Sequence, residues 1–138
     1  MSLWRKFNER PAWRWATWAV FVVLWTTALV LPLPEDRNWP VALSPERKYF
    51  LAKTGHVCAY ALLTILSGWL RVPIRCRLLL LFFLMAHAAA TEWIQLNISN
   101  RTGTVDDVLL DHLGIAAGLV ISWKWWSRKL QISTTTLT

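Results

Sequence analysis

Residues 78–96 read LLLLFFLMAHAAATEWIQL, an apolar run that is long enough to cross a lipid bilayer as a single helix. Its first two turns carry no polar side chain, whereas Glu92 and Gln95 lie in its last turns. A run of about 18 or more apolar residues predicts a membrane-spanning helix. Because an ionisable group in hydrocarbon costs free energy, we expect the polar end of this helix to face other protein groups or water.

Three further apolar runs of similar length predict three more spanning helices. The four predicted spans cover about residues 13–32, 50–70, 78–96 and 106–126. The first run ends at LPLPEDRNWP, residues 31–40, because proline cannot continue a helix. This run is longer than a signal-peptide core and no A-x-A cleavage site follows it, so we expect the first span to be retained.

The composition indicates a membrane protein with one domain. The chain has 138 residues, of which 55% are hydrophobic and only 17% are charged, a low charged fraction for a soluble domain. The formal net charge of +7 is compatible with nucleic-acid binding, but the basic residues stand in short clusters between the apolar runs. That placement is typical of residues that flank spanning helices, so we expect a membrane and no nucleic acid as the partner.

Lysine and arginine residues are unevenly distributed around the predicted spans. Ten lie in the N-terminal segment, the turn after the second span and the C-terminal flank, whereas four lie in the first and third loops. Cytoplasmic segments carry the excess of basic residues. The sequence therefore predicts an all-α, four-helix transmembrane bundle with an N-in/C-in orientation. It consists of a cytoplasmic N-terminus (residues 1–12), a membrane domain (13–126) and a cytoplasmic tail (127–138).

Ionisable residues of three predicted spans lie at the same depth. With a rise of about 1.5 Å per residue, His56, Glu92 and Asp111 each lie roughly 6–10 Å below the predicted outer end of their helices. On the fourth span, Asp107 and Asp111 share one helical stripe, which continues into a G-x-x-x-G pattern that allows a neighbouring helix to approach closely. We expect these residues to line one polar pocket that opens toward the outer side.

Several polar and aromatic residues have structural interpretations that compete with functional ones. Asp106 is expected to be the N-cap of the fourth helix. His87 has Thr91 one turn away, which favours a hydrogen-bonded packing histidine. His112 is equally consistent with an interfacial and an interhelical position. Most of the eleven tryptophans lie near predicted span ends, where indole rings prefer the headgroup region, and a tryptophan-rich core is the alternative.

Three segments resemble motifs of VanZ-like membrane proteins. LAKTGHVCAYALL (51–63) is similar to a K-x-x-H-x-x-x-Y segment, ATEWIQL (90–96) to an E-x-x-Q segment, and NRTGTVDDVLLDHLG (100–114) to an R-x5-D-x6-G segment. The resemblance assigns motif status to Lys53, His56, Tyr60, Glu92, Gln95, Arg101, Asp107 and Gly114. At one position the chain departs from the pattern, because it has Asp111 where VanZ-like proteins commonly have asparagine. The resemblance implies a bacterial inner (cell) membrane location and a link to glycopeptide (teicoplanin) tolerance.

Two functional hypotheses follow from these residues. In the first, the pocket binds or acts on the headgroup of a membrane lipid or a lipid-linked wall precursor. The candidate ligand-binding residues are Lys53 and Arg101 for phosphate, with Tyr60 and Gln95 orienting polar groups. If the protein is an enzyme, the candidate catalytic residues are His56, Glu92, Asp107 and Asp111, which can transfer protons. In the second hypothesis the protein is a non-catalytic membrane scaffold or partner-binding protein, and the ionisable network fixes how the helices pack.

The sequence predicts no metal and no other cofactor. The side chains of His56, Glu92, Asp107 and Asp111 fit a metal by ligand type, but a nearby Lys53 disfavours a bound cation. No nucleotide-binding loop and no cysteine cluster occurs in the chain. The oligomeric state is left open.

Overall fold

The computed structural model describes residues 11–31, 44–98 and 103–127, and every regular element within these ranges is helical. Four long helices are followed by one short turn of helix. They are α1 (Pro11–Val30), α2 (Pro45–Trp69), α3 (Ile74–Gln95), α4 (Val105–Ile121) and α5 (Trp123–Trp126). The expectation of an all-α chain is confirmed for the described residues.

Serine and proline residues mark where α2 and α3 begin. Ser44 is the N-cap of α2, where its hydroxyl accepts a hydrogen bond from the Arg47 N–H at 3.4 Å, and Pro45 opens the helix. The sequence predicted that this span starts at about residue 50, where the apolar run begins. Helix α2 begins five residues earlier, at Pro45, because its first turn is polar. Pro73 is the N-cap of α3, and its missing N–H is not needed at a helix start.

Ser122 separates α4 from α5. Its backbone (φ −102°, ψ 18°) departs from helical geometry, and its hydroxyl donates to the Gly118 carbonyl at 2.5 Å. A serine that hydrogen-bonds the carbonyl four residues earlier commonly bends a helix. The sequence predicted one continuous span over 106–126, whereas the structure has two helices in this range.

Three described helices are long and apolar enough to cross a membrane: Ala12–Val30 within α1, the whole of α2 and the whole of α3. Helix α4 has 17 residues. It is therefore about 26 Å long, less than the roughly 30 Å of hydrocarbon in a bilayer. Four spans were predicted, and the described residues contain three candidate spans with a shorter fourth helix.

Helix α2 contacts every other described helix, and its most extensive contact is with α4. Two glycines permit this contact. A Cβ atom added at Gly114 would collide with the Val57 carbonyl, and one added at Gly118 would collide with the Ala61 carbonyl. The close approach predicted for the G-x-x-x-G pattern is confirmed, and its partner is α2.

The interior contains polar as well as apolar side chains. One apolar core joins α2, α3 and α4 and consists of Tyr60, Leu63, Leu84, Ala88 and Ile115. Among the described residues, eleven buried residues are polar or charged, against ten buried hydrophobic ones. Large apolar side chains such as Phe82 and Val120 are instead 70% and 76% exposed. An apolar exterior around a partly polar interior is the arrangement expected where the surrounding solvent is lipid.

Two buried arginines lie at the end of the protein where α2 ends and α3 begins. Arg14 donates to the Trp69 carbonyl at 2.9 Å, and Arg77 donates to the carbonyls of the last two residues of α5 at 2.6 and 2.9 Å. Such guanidinium donors satisfy carbonyls that helix ends leave without partners. The Trp126 indole N–H also donates inward, to the Thr64 carbonyl at 3.2 Å. Trp126 is thus a buried packing residue.

Candidate functional site

Six polar side chains meet where α2 begins, α3 ends and α4 begins. We call them the polar cluster: Lys53, His56, Glu92, Gln95, Asp107 and Asp111. All six are candidate site residues from the sequence. Lys53 and His56 come from α2, Glu92 and Gln95 from α3, and Asp107 and Asp111 from α4. Polar groups of three helices therefore meet at one end of these helices.

His56 lies between two carboxylates from different helices. Its Nδ1 lies 2.9 Å from Asp111 Oδ1, within hydrogen-bond distance, and the same nitrogen is 3.8 Å from Glu92 Oε1. The three side chains are 9%, 0% and 5% exposed respectively for His56, Asp111 and Glu92. This buried trio therefore joins α2, α3 and α4 at a single point.

Lys53 and Asp107 form a second pair nearer the helix starts. The Lys53 ammonium donates to Asp107 Oδ1 at 2.5 Å, and the two side chains are 19% and 9% exposed. The Tyr49 ring lies 5.1 Å from the ammonium and adds a cation–π contact. Lys53 is thus engaged by Asp107 and not by a carboxylate of the buried trio.

Thr104 links the two parts of the polar cluster. It is the N-cap of α4: its hydroxyl accepts from the Asp107 N–H at 3.2 Å and donates to Asp107 Oδ2 at 2.8 Å. Its own N–H donates to Glu92 Oε2 at 3.1 Å. The expectation that Asp106 is the N-cap is wrong, because Asp106 lies in the first turn and is exposed. The T-x-x-D spacing is the sequence signal that points to Thr104.

The carboxylates of Glu92 and Asp111 have different hydrogen-bond environments. Glu92 Oε1 accepts from Gln95 Nε2 at 3.4 Å while Oε2 accepts from Thr104, so both of its oxygens have a donor. Asp111 is fully buried, and its Oδ2 has no hydrogen-bond partner among the described residues. A buried carboxylate oxygen without a donor is costly, so this atom needs a ligand, a proton or a water.

Tyr60 belongs to a separate hydrogen-bonded chain, one turn below His56. The Tyr60 hydroxyl lies 2.8 Å from His87 Nδ1, and His87 Nε2 lies 2.8 Å from Thr26 Oγ1. The Thr26 hydroxyl donates its single proton to the Val22 carbonyl at 2.7 Å, so it accepts from His87 Nε2–H. In a neutral imidazole, Nδ1 is then the acceptor and Tyr60 the donor. The packing role expected for His87 agrees with these contacts.

Trp25 of α1 connects the two groups. Its ring packs edge-on against His56 at a centroid distance of 5.7 Å and against Tyr60 at 6.4 Å. Sequence reasoning missed both Trp25 and Thr26, because an apolar span with no polar periodicity gives no sign of which face meets a site.

Arg101 lies outside the described residues. His112 donates from Nδ1 to the Val108 carbonyl of its own helix at 2.7 Å.

The long apolar helices and the buried polar cluster define a helical membrane protein. Comparison with family models then identifies it more closely. The chain belongs to the VanZ/LLP1 family, whose model matches residues 11–127. The resemblance recognised in the sequence motifs is thereby confirmed. Searches of curated proteins and of solved structures found no match.

Proposed function

We propose that this VanZ/LLP1-family chain is a multi-pass protein of the bacterial cell membrane whose polar cluster binds, or acts on, the headgroup of a membrane lipid or a lipid-linked wall precursor. One observation carries the proposal: ionisable side chains from three helices converge at one end, with the partly exposed Lys53 side chain nearest the start of α2. Ionisable groups at membrane depth commonly mark a binding site or substrate pathway.

In the proposed topology, α4 and α5 together form the fourth span, both termini are cytoplasmic, and the polar cluster lies near the outer leaflet. The distribution of arginines supports it. Arg14 and Arg77 are buried, and Arg71 and Arg75 exposed, at the end where α2 meets α3, which is opposite the polar cluster. An excess of basic residues favours the cytoplasmic side.

Lys53 is the proposed contact to a headgroup phosphate. An ammonium has three N–H donors, of which one goes to Asp107 Oδ1. The amide of Gln95 supplies a further polar group beside Glu92, and Tyr60 acts one turn deeper by orienting His87. Arg101 is proposed as a second phosphate contact from its motif position. If the headgroup is also transformed, His56 with Glu92, Asp107 or Asp111 provides the proton-transferring groups.

A structural role is the second candidate function, and the contacts of Thr104 favour it. By bonding Glu92 of α3 and Asp107 of α4, Thr104 fastens the end of one helix to the start of the next. A buried polar network of this kind can fix how helices pack without binding any ligand. In that case the protein is a membrane scaffold or partner-binding protein.

Native mass spectrometry of the detergent-solubilised protein tests lipid binding directly. We expect the wild type to retain an anionic phospholipid or a polyprenyl-linked species, and Lys53→Gln to retain about tenfold less, since one charge-assisted contact is lost. Lys124→Gln is the matched control, because Lys124 is exposed on α5. Equal lipid retention by wild type and Lys53→Gln would reject the headgroup proposal in favour of the structural role.

The link to teicoplanin tolerance is proposed from family membership and is tested in cells. We expect cells that express the wild type to tolerate more teicoplanin than cells that express Lys53→Gln at equal protein abundance. Unchanged tolerance on expression of the wild type would remove this link without affecting the lipid-binding result.

A further inference from the structure

The buried trio of His56, Glu92 and Asp111 has the composition and spacing of a metal site. Each residue offers one ligand atom, and these atoms all lie within 4.8 Å of one another. Two donors bound about 2.0–2.2 Å from one tetrahedral ion are roughly 3.4 Å apart, so the most widely separated ligand atoms must approach each other by at most about 1.4 Å to close the site. The three ligands come from three helices, of which α2 and α4 are held close together by the glycine contacts.

A second observation independently calls for a ligand at this point. Asp111 is fully buried, yet its Oδ2 has no hydrogen-bond partner among the described residues. From these two observations we infer that His56, Glu92 and Asp111 bind one divalent first-row metal ion, with zinc as the ion best suited to one imidazole and two carboxylates.

The charges of the described side chains favour a cation. The expectation of no metal rested on Lys53, but the Lys53 ammonium is bonded to Asp107, so each of these two charges neutralises the other. Among the ion pairs of the described residues, Glu92 and Asp111 are then both paired with the single imidazole of His56. A divalent ion bound to a neutral imidazole balances both carboxylates. Two protons, one on His56 and one on a carboxyl, are the competing way to balance them.

Neighbouring groups already orient the proposed ligands. Glu92 is held by the Thr104 N–H and the Gln95 amide, and the Trp25 ring packs edge-on against His56. Partners of this kind fix ligand orientation in metal sites, and their loss commonly weakens metal binding about 10–100-fold. The side chains of Glu92 and His56 are therefore held in position by their neighbours, as metal ligands commonly are.

Three protein ligands leave a fourth coordination position open on a tetrahedral ion. This part of the inference rests on the proposed function: an ion in the trio would bind a headgroup phosphate oxygen beside Lys53. Asp111 is essential to this site, because an asparagine at this position would leave the trio one carboxylate short.

Elemental analysis of the full-length protein, purified in detergent without chelators, tests the metal directly. We expect about one zinc ion per chain in the wild type and at least about tenfold less in Asp111→Asn and His56→Gln. Asp106→Asn is the control, because it removes an exposed carboxylate from the same helix. Zinc absent from the wild type, or retained equally by Asp111→Asn, would overturn the inference.

A measurement on the wild type keeps the test independent of variant folding. After chelation, titration with Co²⁺ should produce visible d–d absorption that zinc then abolishes, and either ion should raise the midpoint of thermal unfolding. The absence of the cobalt absorption band, together with no rise in the unfolding midpoint on adding zinc, cobalt or manganese, would also overturn the inference. Lipid retention in native mass spectra of the same samples is scored separately, so failure of the metal site and failure of headgroup binding are distinguishable.

Discussion

Asp106 and Asp107 are adjacent residues with the same side chain and opposite environments. Asp106 is exposed in the first turn of α4, whereas Asp107 is buried, bonded to Lys53 and Thr104. The difference arises because successive residues of a helix point about 100° apart, and only one of the two faces α2. Substituting Asp106 and Asp107 in turn therefore separates the effect of losing a carboxylate from the effect of losing its hydrogen bonds.

We predict that Asp107→Asn destabilises the protein by about 1–3 kcal/mol, because the Lys53 ammonium and the Thr104 hydroxyl each lose a charged acceptor. Asp106→Asn should change stability by less than about 0.5 kcal/mol, as expected for an exposed site. Equilibrium unfolding in mixed detergent micelles measures both values. Equal effects of the two substitutions would contradict the assigned pairing.

The hydrogen bonds of His87 fix its tautomer. Because Thr26 accepts from Nε2 and Tyr60 donates to Nδ1, we predict that nitrogen-15 NMR at neutral pH finds the Nε2–H form of this ring. In Tyr60→Phe the Nδ1 acceptor of His87 loses its donor, and the free energy of unfolding should fall by about 1–3 kcal/mol. Detection of the Nδ1–H tautomer in the wild type would contradict the hydrogen-bond directions derived above.

At the scale of helices, the contact between α2 and α4 positions the site. It brings His56 to Asp111 and Lys53 to Asp107, and it depends on backbone contact at Gly114 and Gly118. The four side chains could not pair if a methyl group held the two helices further apart.

We predict that Gly114→Ala destabilises the protein by about 1–3 kcal/mol, since its Cβ would meet the Val57 carbonyl. Gly55→Ala is the matched control, because its Cβ would lie at an ordinary 3.9 Å from Trp25. That control should be neutral or stabilising by up to about 1 kcal/mol, because alanine is a better helix former than glycine. Thermal unfolding of both variants checks the prediction, which a destabilised Gly55→Ala with an unaffected Gly114→Ala would contradict.

At the scale of the whole molecule, the two ends of the protein have different chemistry. One end holds the carboxylate-rich polar cluster, and at the other end Arg14 and Arg77 bind backbone carbonyls. This asymmetry is the physical basis for the proposed orientation, since basic residues are retained on the cytoplasmic side.

The proposed orientation predicts which exposed residues can be labelled from outside the cell. In a background with Cys58 and Cys76 replaced by serine, we expect Glu46→Cys to react with a membrane-impermeant maleimide in intact cells. Arg71→Cys should react only after permeabilisation, because it lies at the other end of α2. The reverse labelling pattern would invert the topology, and labelling of both sites in intact cells would reject it.

The sequence alone determined the helical class, the approximate ranges of the long helices and the set of polar residues that lie at the same end of their helices. These features follow from local quantities: the length of an apolar run, the rise per residue and the helical phase. Glu92 and Asp111 could therefore be assigned to the same end of the protein before any contact was known.

The tertiary structure decided which of these residues touch. Lys53 pairs with Asp107 and leaves His56 with Asp111 and Glu92, Thr104 caps α4 in place of Asp106, and Tyr60 turns to His87. Pairing depends on the distance and rotation between helices. For α2 and α4, backbone contact at Gly114 and Gly118 sets both. Depth along a helix is a property of one segment, whereas contact across helices is a property of the packed molecule.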